Sequence, residues 1–442
     1  MRRALGRALP ALAAILLFGT PADLRADEPQ AVPTLTDSVR VSLISILPGD
    51  RVYSVFGHSA LRVRDPVLGI DRAYNFGTFD FGETLLDLTG FVARFTYGDL
   101  NYRLSVQDPG RMVNGYWRIE GRASVEQLLD LTRAEAQELF RRLEINALPE
   151  NRYYRYDFFF DNCATRLLDA LEAVLGDRLS FPTAEAPDRS FRQLLDPYLV
   201  GATWVDLGMD LGLGRPADRP ASAREATFLP EHLMDFVAAG RVDRGAGGAR
   251  PLVRSTRART GPPATDWRPE GDPPWPLIVM GGLLLVGLLP TMREARGLRA
   301  DAGPDGGEGG GAPGGRPDAI FFGALGVAGL AVAFLWFVSL HRVTDANLNL
   351  AWALPTHLVL AVALWRGSAG RRAGLYLLAT AGLAALLLVG MFAGLWPQEL
   401  PVALVPLLAL IAVRAGWLGW VRIGPAGSDE RGVGPAAGSA SR

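Results

Sequence analysis

The stretch Tyr156-Asp-Phe-Phe-Phe-Asp-Asn-Cys-Ala-Thr-Arg166 holds the only cysteine of the chain and joins two different periodicities. Ahead of Cys163, Tyr153 to Phe160 is an aromatic, strand-like run. Beyond it, Ala164, Leu167, Leu168, Leu171, Val174 and Leu175 recur at helical spacing as far as Gly176. Asp161 or Asn162 is placed to cap that helix. The spacing therefore predicts a thiol in the first turn of a helix, where free backbone N–H groups and the positive end of the dipole favour thiolate. Arg166, one turn on, is expected to add positive charge. A structural cysteine falls more often inside the apolar stripe than at a polar helix entrance, so Cys163 reads as a nucleophile. A single cysteine also excludes an intrachain disulfide and a zinc ribbon.

A nucleophilic cysteine needs a base. Upstream of the apolar last third the candidates are His58 and His232. His232, in Leu229-Pro-Glu-His-Leu-Met, sits near a helix start and reads as structural. His58 lies in Ser54-Val-Phe-Gly-His-Ser-Ala-Leu-Arg-Val63, where alternation after Gly57 predicts a strand with His58, Ala60 and Arg62 on one face. A turn around Asp65-Pro66 to Gly69 leads into a second strand, Ala73-Tyr-Asn-Phe-Gly-Thr-Phe79. Antiparallel pairing about that turn brings Asn75 roughly opposite His58, close enough for its amide to orient the imidazole. Asn75 is equally readable as a strand-edge or turn asparagine. Tyr74, Asp80 and Asp161 are the substitutes for a third member.

Over 442 residues the composition is 49% hydrophobic, with the apolar residues crowded beyond Trp275. The 45 basic residues, all arginine, balance 46 acidic ones, which gives no footprint for nucleic-acid binding. Residues 1–26 have two early arginines, an apolar stretch from Ala8 to Phe18 and small residues at Ala22 and Ala26, the layout of a secretory signal. Residues 27–244 read as an exported globular unit of α+β type, and the Gly-, Pro- and Arg-rich residues 245–275 as a linker. Trp267 and Trp275 suit a membrane interface.

Residues 276–420 carry five apolar stretches: Pro276 to Met292, Ala319 to Leu340, Leu350 to Trp365, Ala373 to Gly394, and Leu400 to Leu418. Each is near the roughly 17 to 25 residues of a spanning helix, the first and third marginally. An all-α membrane domain of five spans is therefore expected. Arginines cluster at Arg293 to Arg316, at Arg366 to Arg372 and in the tail, residues 421–442. By the positive-inside rule these lie in the cytoplasm and the first domain outside. The Gly-rich run Gly303 to Gly315 reads as an inner linker. The scattered histidines and the absence of a carboxylate cluster at ligand spacing point to no metal and no cofactor.

At these residues the chain resembles the bacterial family of lipoprotein N-acyltransferases of the Bacteroides type. The matching motifs are Ser54 to Val63, Tyr74 to Asp80 and Tyr156 to Arg166, with further likeness at Ser190-Phe-Arg, Trp204 to Gly214 and Phe228-Leu-Pro. His341, with Asn347, Asn349, Leu350 and Trp352, resembles the family's histidine and asparagine motif between spans. The resemblance implies a circularly permuted, NlpC/P60-like and papain-related periplasmic fold on an inner-membrane anchor, which accounts for a histidine that precedes the cysteine. It further implies transfer of an acyl chain from a phospholipid donor to the α-amine of a diacylglyceryl lipoprotein. In that frame Cys163 matches the nucleophile and His58 the base, with Asn75 the third member by geometry. Asn162, Asp161, Arg166, His341, Asn347 and Asn349 are auxiliary candidates. The Gly/Pro-rich inserts at Gly245 and Gly303 depart from the family pattern. The same thiol pair also suits a cysteine peptidase or amidase acting on cell-wall peptide, and a non-enzymatic envelope scaffold with a buried Cys163 is the third reading.

Overall fold

A computed structural model of the protein describes residues 32–51, 53–79, 85–261, 271–301 and 314–423. The expected signal segment, Asp80, Trp267, most of the Gly-rich run from Gly303 to Gly315 and the end of the tail from residue 424 lie outside the described residues.

In chain order the first region contains β1 (Arg40–Ile46), β2 (His58–Asp65), β3 (Ile70–Thr78), α1 (Leu85–Tyr97), β4 (Asn101–Gln107), α2 (Pro109–Glu120), β5 (Ser124–Leu129), α3 (Arg133–Ala147), β6 (Tyr153–Arg155) and α4 (Cys163–Leu175). It continues with β7 (Leu179–Ser180), α5 (Asp196–Leu199), α6 (Thr203–Gly212), α7 (Ala223–Ala226), α8 (Pro230–Ala239), β8 (Arg241–Asp243), β9 (Ala249–Pro251) and β10 (Val253–Thr260). Seven strands form one antiparallel sheet in the order β10-β5-β1-β2-β3-β4-β6, and β7, β8 and β9 form a small second sheet. This is a mixed α and β domain, in keeping with the expected class.

The alternation of β1 to β3 explains the layering. Ile44, Ile46, Ala60 and Ala73 face Met112, Val113 and Tyr116 of α2, while α4 packs against β2 and β3. Because strand side chains alternate between faces, His58 shares its face with Ala60, and Asn75 with Ala73.

Two boundaries differ from the sequence reading. First, the linker expected over residues 245–275 is in part structure, since β10 pairs with β5 at the sheet edge. Its residues Val-Arg-Ser-Thr-Arg-Ala-Arg-Thr lack apolar alternation because charge takes its place: Arg257 and Arg259 both pair with the buried Glu126 of β5. Second, among the described residues four helices are long and apolar enough to cross a membrane: α9 (Trp275–Asp301), α10 (Arg316–Phe337), α12 (Arg371–Ala393) and α13 (Leu404–Ile423). The intervening α11 (His357–Trp365) has 9 residues. At 1.5 Å per residue it is about 13 Å long, short of a hydrocarbon core of about 30 Å. Pro355 precedes it, and a 3₁₀ turn over Leu348–Ala351 replaces the rest of the expected span. The segment nevertheless begins where Leu348 N–H donates to Gln398 Oε1, ahead of α13, and ends where Ala369 O accepts from Arg422 near the end of α13.

Sheet and membrane helices belong to one compact unit from Leu35 onward. They meet at the end of α6. The Asn347 amide donates to Leu211 O at 2.8 Å and Gly212 O at 3.1 Å, and Gly214 N–H donates to Val343 O. A Cβ on Gly214 would lie 2.0 Å from Asp345 O, so the close approach of these two segments requires glycine.

Candidate active site

Cys163 is the first residue of α4. Asn162 caps the helix: its Oδ1 accepts from Ala164 N at 2.8 Å and Thr165 N at 3.0 Å, and Thr165 Oγ1 accepts from Asn162 N–H. The Asn162 amide group also donates to Phe158 O and Phe228 O. With every polar atom engaged, Asn162 fixes the helix entrance rather than offering a free group. The cap falls on Asn162 and not Asp161, whose carboxylate instead forms a two-bond pair with Arg166 at 2.6 and 2.8 Å. Arg166 in turn lies 3.7 Å from the centroid of the Tyr154 ring. The positive charge expected from Arg166 is thus largely neutralised by its neighbour.

His58 opens β2, immediately after Gly57, which turns the chain at φ +79°. Its Nε2 lies 2.8 Å from Asn75 Oδ1, which also accepts from Gly77 N–H at 2.8 Å. The Gly77 donor identifies the oxygen of the amide, so Nε2 carries the proton and Nδ1 presents its lone pair. Nδ1 has no hydrogen-bond partner among the described residues. The sequence reading brought His58 and Asn75 together, but not in that register. The pairing Leu61↔Tyr74, continued outward, sets Gly77 across from His58, and Asn75 reaches the imidazole diagonally.

Burial favours the neutral form of both candidate groups. Burial pushes the Cys163 thiol up to about 11, against the opposing pull of the backbone N–H groups of Ser59, Cys163 and Ala164 and of the Arg122 charge. Burial and Arg122 bring His58 down to about 4, with Asn75 acting the other way. The residue Cys163 itself is only half-buried, so the site retains an opening.

Arg122 is the member that sequence reasoning missed. It is 4% exposed, donates through Nε to Leu47 O at 2.8 Å, pairs through Nη1 with Glu120 at 3.1 Å, and lies over the Tyr116 ring at 5.0 Å. Tyr116 is 6.0 Å, ring to ring, from His58. Arg122 Nη2 is buried without a hydrogen-bond partner. Its position after Gly121, in a bend between α2 and β5, carries no spacing signal toward Cys163. Tyr102, Tyr116, Tyr154 and Tyr156 also lie within the electrostatic reach of Cys163, and each hydroxyl is pushed up, chiefly by burial.

The remaining candidates lie elsewhere. Tyr74 bonds Glu144. His232 lies on α8. His341 Nε2 bonds Phe95 O at 2.7 Å, and Asn349 bonds Trp352 and the end of α6. Asn347 and Asn349 therefore join the two regions, with their amides engaged away from the thiol. A cleft of about 610 Å³ between Ser190–Gln193 and the outer ends of α12 and α13 is lined by neither His58 nor Cys163. No group of three metal-ligating side chains occurs among the described residues.

No curated protein and no solved structure matches the chain. The family model of the Lnb N-terminal periplasmic domain matches residues 33–196, and that of the Lnb transmembrane domain matches residues 316–423. With four long apolar helices beside these matches, this is a multi-pass inner-membrane protein with a periplasmic N-terminal domain. The two matches, one spanning Cys163, His58 and Asn75 and the other α10 to α13, place the chain in the Lnb-type lipoprotein N-acyltransferase family.

Proposed function

We propose that the protein transfers an acyl chain from a phospholipid to the N-terminal amine of a diacylglyceryl lipoprotein through a thioester on Cys163. The observation that carries this reading is the oriented imidazole: Asn75 and Gly77 fix the His58 tautomer whose free Nδ1 can accept a thiol proton. As Sγ adds to the ester carbonyl, its proton passes to His58. Collapse breaks the C–O bond, and the imidazolium returns the proton to the departing alkoxide, giving a lysophospholipid and a thioester. The lipoprotein amine then adds to the thioester and loses a proton to His58. The C–S bond breaks, the thiolate recovers the proton, and an amide remains.

Because thiol and imidazole are both neutral at rest, His58 acts as a general base during attack rather than as half of a standing ion pair. The Ser59 and Cys163 N–H groups and the unpartnered Arg122 Nη2 supply the positive field that developing negative charge needs in a water-poor site. In this reading the segment from Leu348 to Ala369 also crosses the bilayer, which puts the C-terminus in the cytoplasm.

Intact mass of the full-length protein after incubation with phospholipid tests the proposal. A single acyl adduct that hydroxylamine removes, and that Cys163→Ala abolishes, is expected. A readily alkylated Cys163 that never acquires the adduct would overturn it, and release of muropeptide fragments would then identify a peptide hydrolase.

A further inference from the structure

The acylated thiol of this reading must house a long hydrocarbon chain, and one surface runs from the membrane helices to Cys163. His341, in the loop after α10, contacts Phe95 of α1 with ring centroids 6.1 Å apart. Phe95 is followed by Phe91 at 6.4 Å, Phe91 by Phe79 at 5.7 Å, and Phe79 by Tyr102 at 4.7 Å. Tyr102 stacks on Tyr156 at 4.1 Å. The inner end is tied to the nucleophile's own helix, because Tyr102 also packs at 6.3 Å on Tyr154, the ring under Arg166 of α4. The outer end is tied to the membrane helices, because Leu340 N–H donates to Tyr97 O and Phe337, at the end of α10, is exposed.

These rings are not a closed core. Phe95 is 46% exposed, Val92 and Tyr97 beside it are also exposed, and Phe79, Phe91, Tyr102 and Tyr156 are only half-buried. A run of partly exposed aromatic rings on a domain held at the bilayer is a site for apolar material.

We propose that the aromatic run from Phe95 through Phe91 and Phe79 to Tyr102 is the seat of the transferred acyl chain, guiding it from the outer leaflet to Cys163 and holding it while the thioester awaits the amine. This rests on Cys163 being the acylated nucleophile. Aromatic faces give a hydrocarbon chain contact area without hydrogen bonds that would fix its position, so the run accepts chains of different length and rejects a short, hydrated acyl group only by the area it fails to bury.

The test compares acylation of Cys163 in the full chain, in one detergent, by p-nitrophenyl palmitate and by p-nitrophenyl acetate, read as nitrophenolate release and intact mass. In Phe91→Ser and in Phe95→Ser, which changes an exposed position, the ratio of long- to short-chain rate is expected to fall about ten-fold. Phe91→Leu should keep the ratio within about two-fold of the parent, since an apolar side chain remains. A parent-like ratio in both serine variants, whether the two rates are intact or reduced together, overturns the proposal. Failure of the unaltered protein to be acylated by either ester is a different result, which removes the thioester reading itself and the acyl seat with it.

Discussion

Gly77 lies so close to His58 that a Cβ on it would sit 2.3 Å from the imidazole Cε1 and 3.0 Å from Nδ1. The glycine is what lets β3 pass beneath the ring while its N–H holds the Asn75 oxygen in place. Gly77→Ala should therefore turn the imidazole away from the thiol, lowering acyl transfer by about 10²-fold, the usual effect of misplacing a reacting group by an ångström. Assay of lipoprotein N-acylation in membranes containing the variant at parental abundance checks this. Retained activity would mean that the imidazole is not needed where Asn75 holds it.

Asn75→Ala acts on the same ring by another route. It leaves the space but removes the acceptor that selects the Nε2-protonated tautomer. Asn75→Asp keeps the acceptor and adds charge beside His58, so it should retain more activity than Asn75→Ala and shift the acid limb of the rate upward. Equal loss in both variants would show that Asn75 serves the strand and not the imidazole.

Much of this was legible in the sequence, for identifiable reasons. The helix after Cys163, its polar entrance and the β2–β3 hairpin all rest on local periodicity and turn chemistry, which a linear reading captures. Asn75 reached His58 despite an incorrect register, because a diagonal neighbour on the same face is nearly as close as the opposite one. What escaped was set by tertiary packing. Arg122 approaches the site from a bend between α2 and β5, and Arg166, which spacing had assigned to the thiol, is held by Asp161. Strand β10 was hidden because arginines bound to Glu126 do the work of apolar residues. The third apolar stretch read as one continuous helix because hydropathy does not register Pro355 or the hydrogen bonds that Asn349 makes across to α6, which divide it into a 3₁₀ turn and the short α11.

The pH dependence follows from the neutral resting pair. With His58 near 4, the base is unprotonated across the neutral range, and the acid limb of kcat/KM should be centred near pH 4 rather than near the ordinary histidine value. With Cys163 near 11, alkylation of the resting thiol should keep rising to high pH. Arg122 lowers both groups, so Arg122→Gln should raise both: the acid limb moves up in pH, and alkylation at a fixed neutral pH slows. Unshifted profiles in the variant would remove Arg122 from the electrostatics of the site.

Among the membrane helices, Arg414 of α13 is 3% exposed and reaches Asp318 of α10 through Nε at 2.6 Å and Glu294 of α9 through Nη1 at 2.7 Å. One guanidinium thus ties three helices, with Thr291 accepting a further bond. Removing one partner of such a group leaves the others charged and uncompensated, a loss of about 3–5 kcal/mol for a buried pair. Arg414→Met should therefore lower the melting temperature of the detergent-solubilised protein sharply. Neutralising the abandoned carboxylates as well, in Arg414→Met with Asp318→Asn and Glu294→Gln, should restore much of it, because no buried charge is then left uncompensated. If the triple variant melts no higher than the single one, the cluster contributes through packing and hydrogen bonds specific to arginine rather than through charge balance, and the three helices depend on the fork geometry itself.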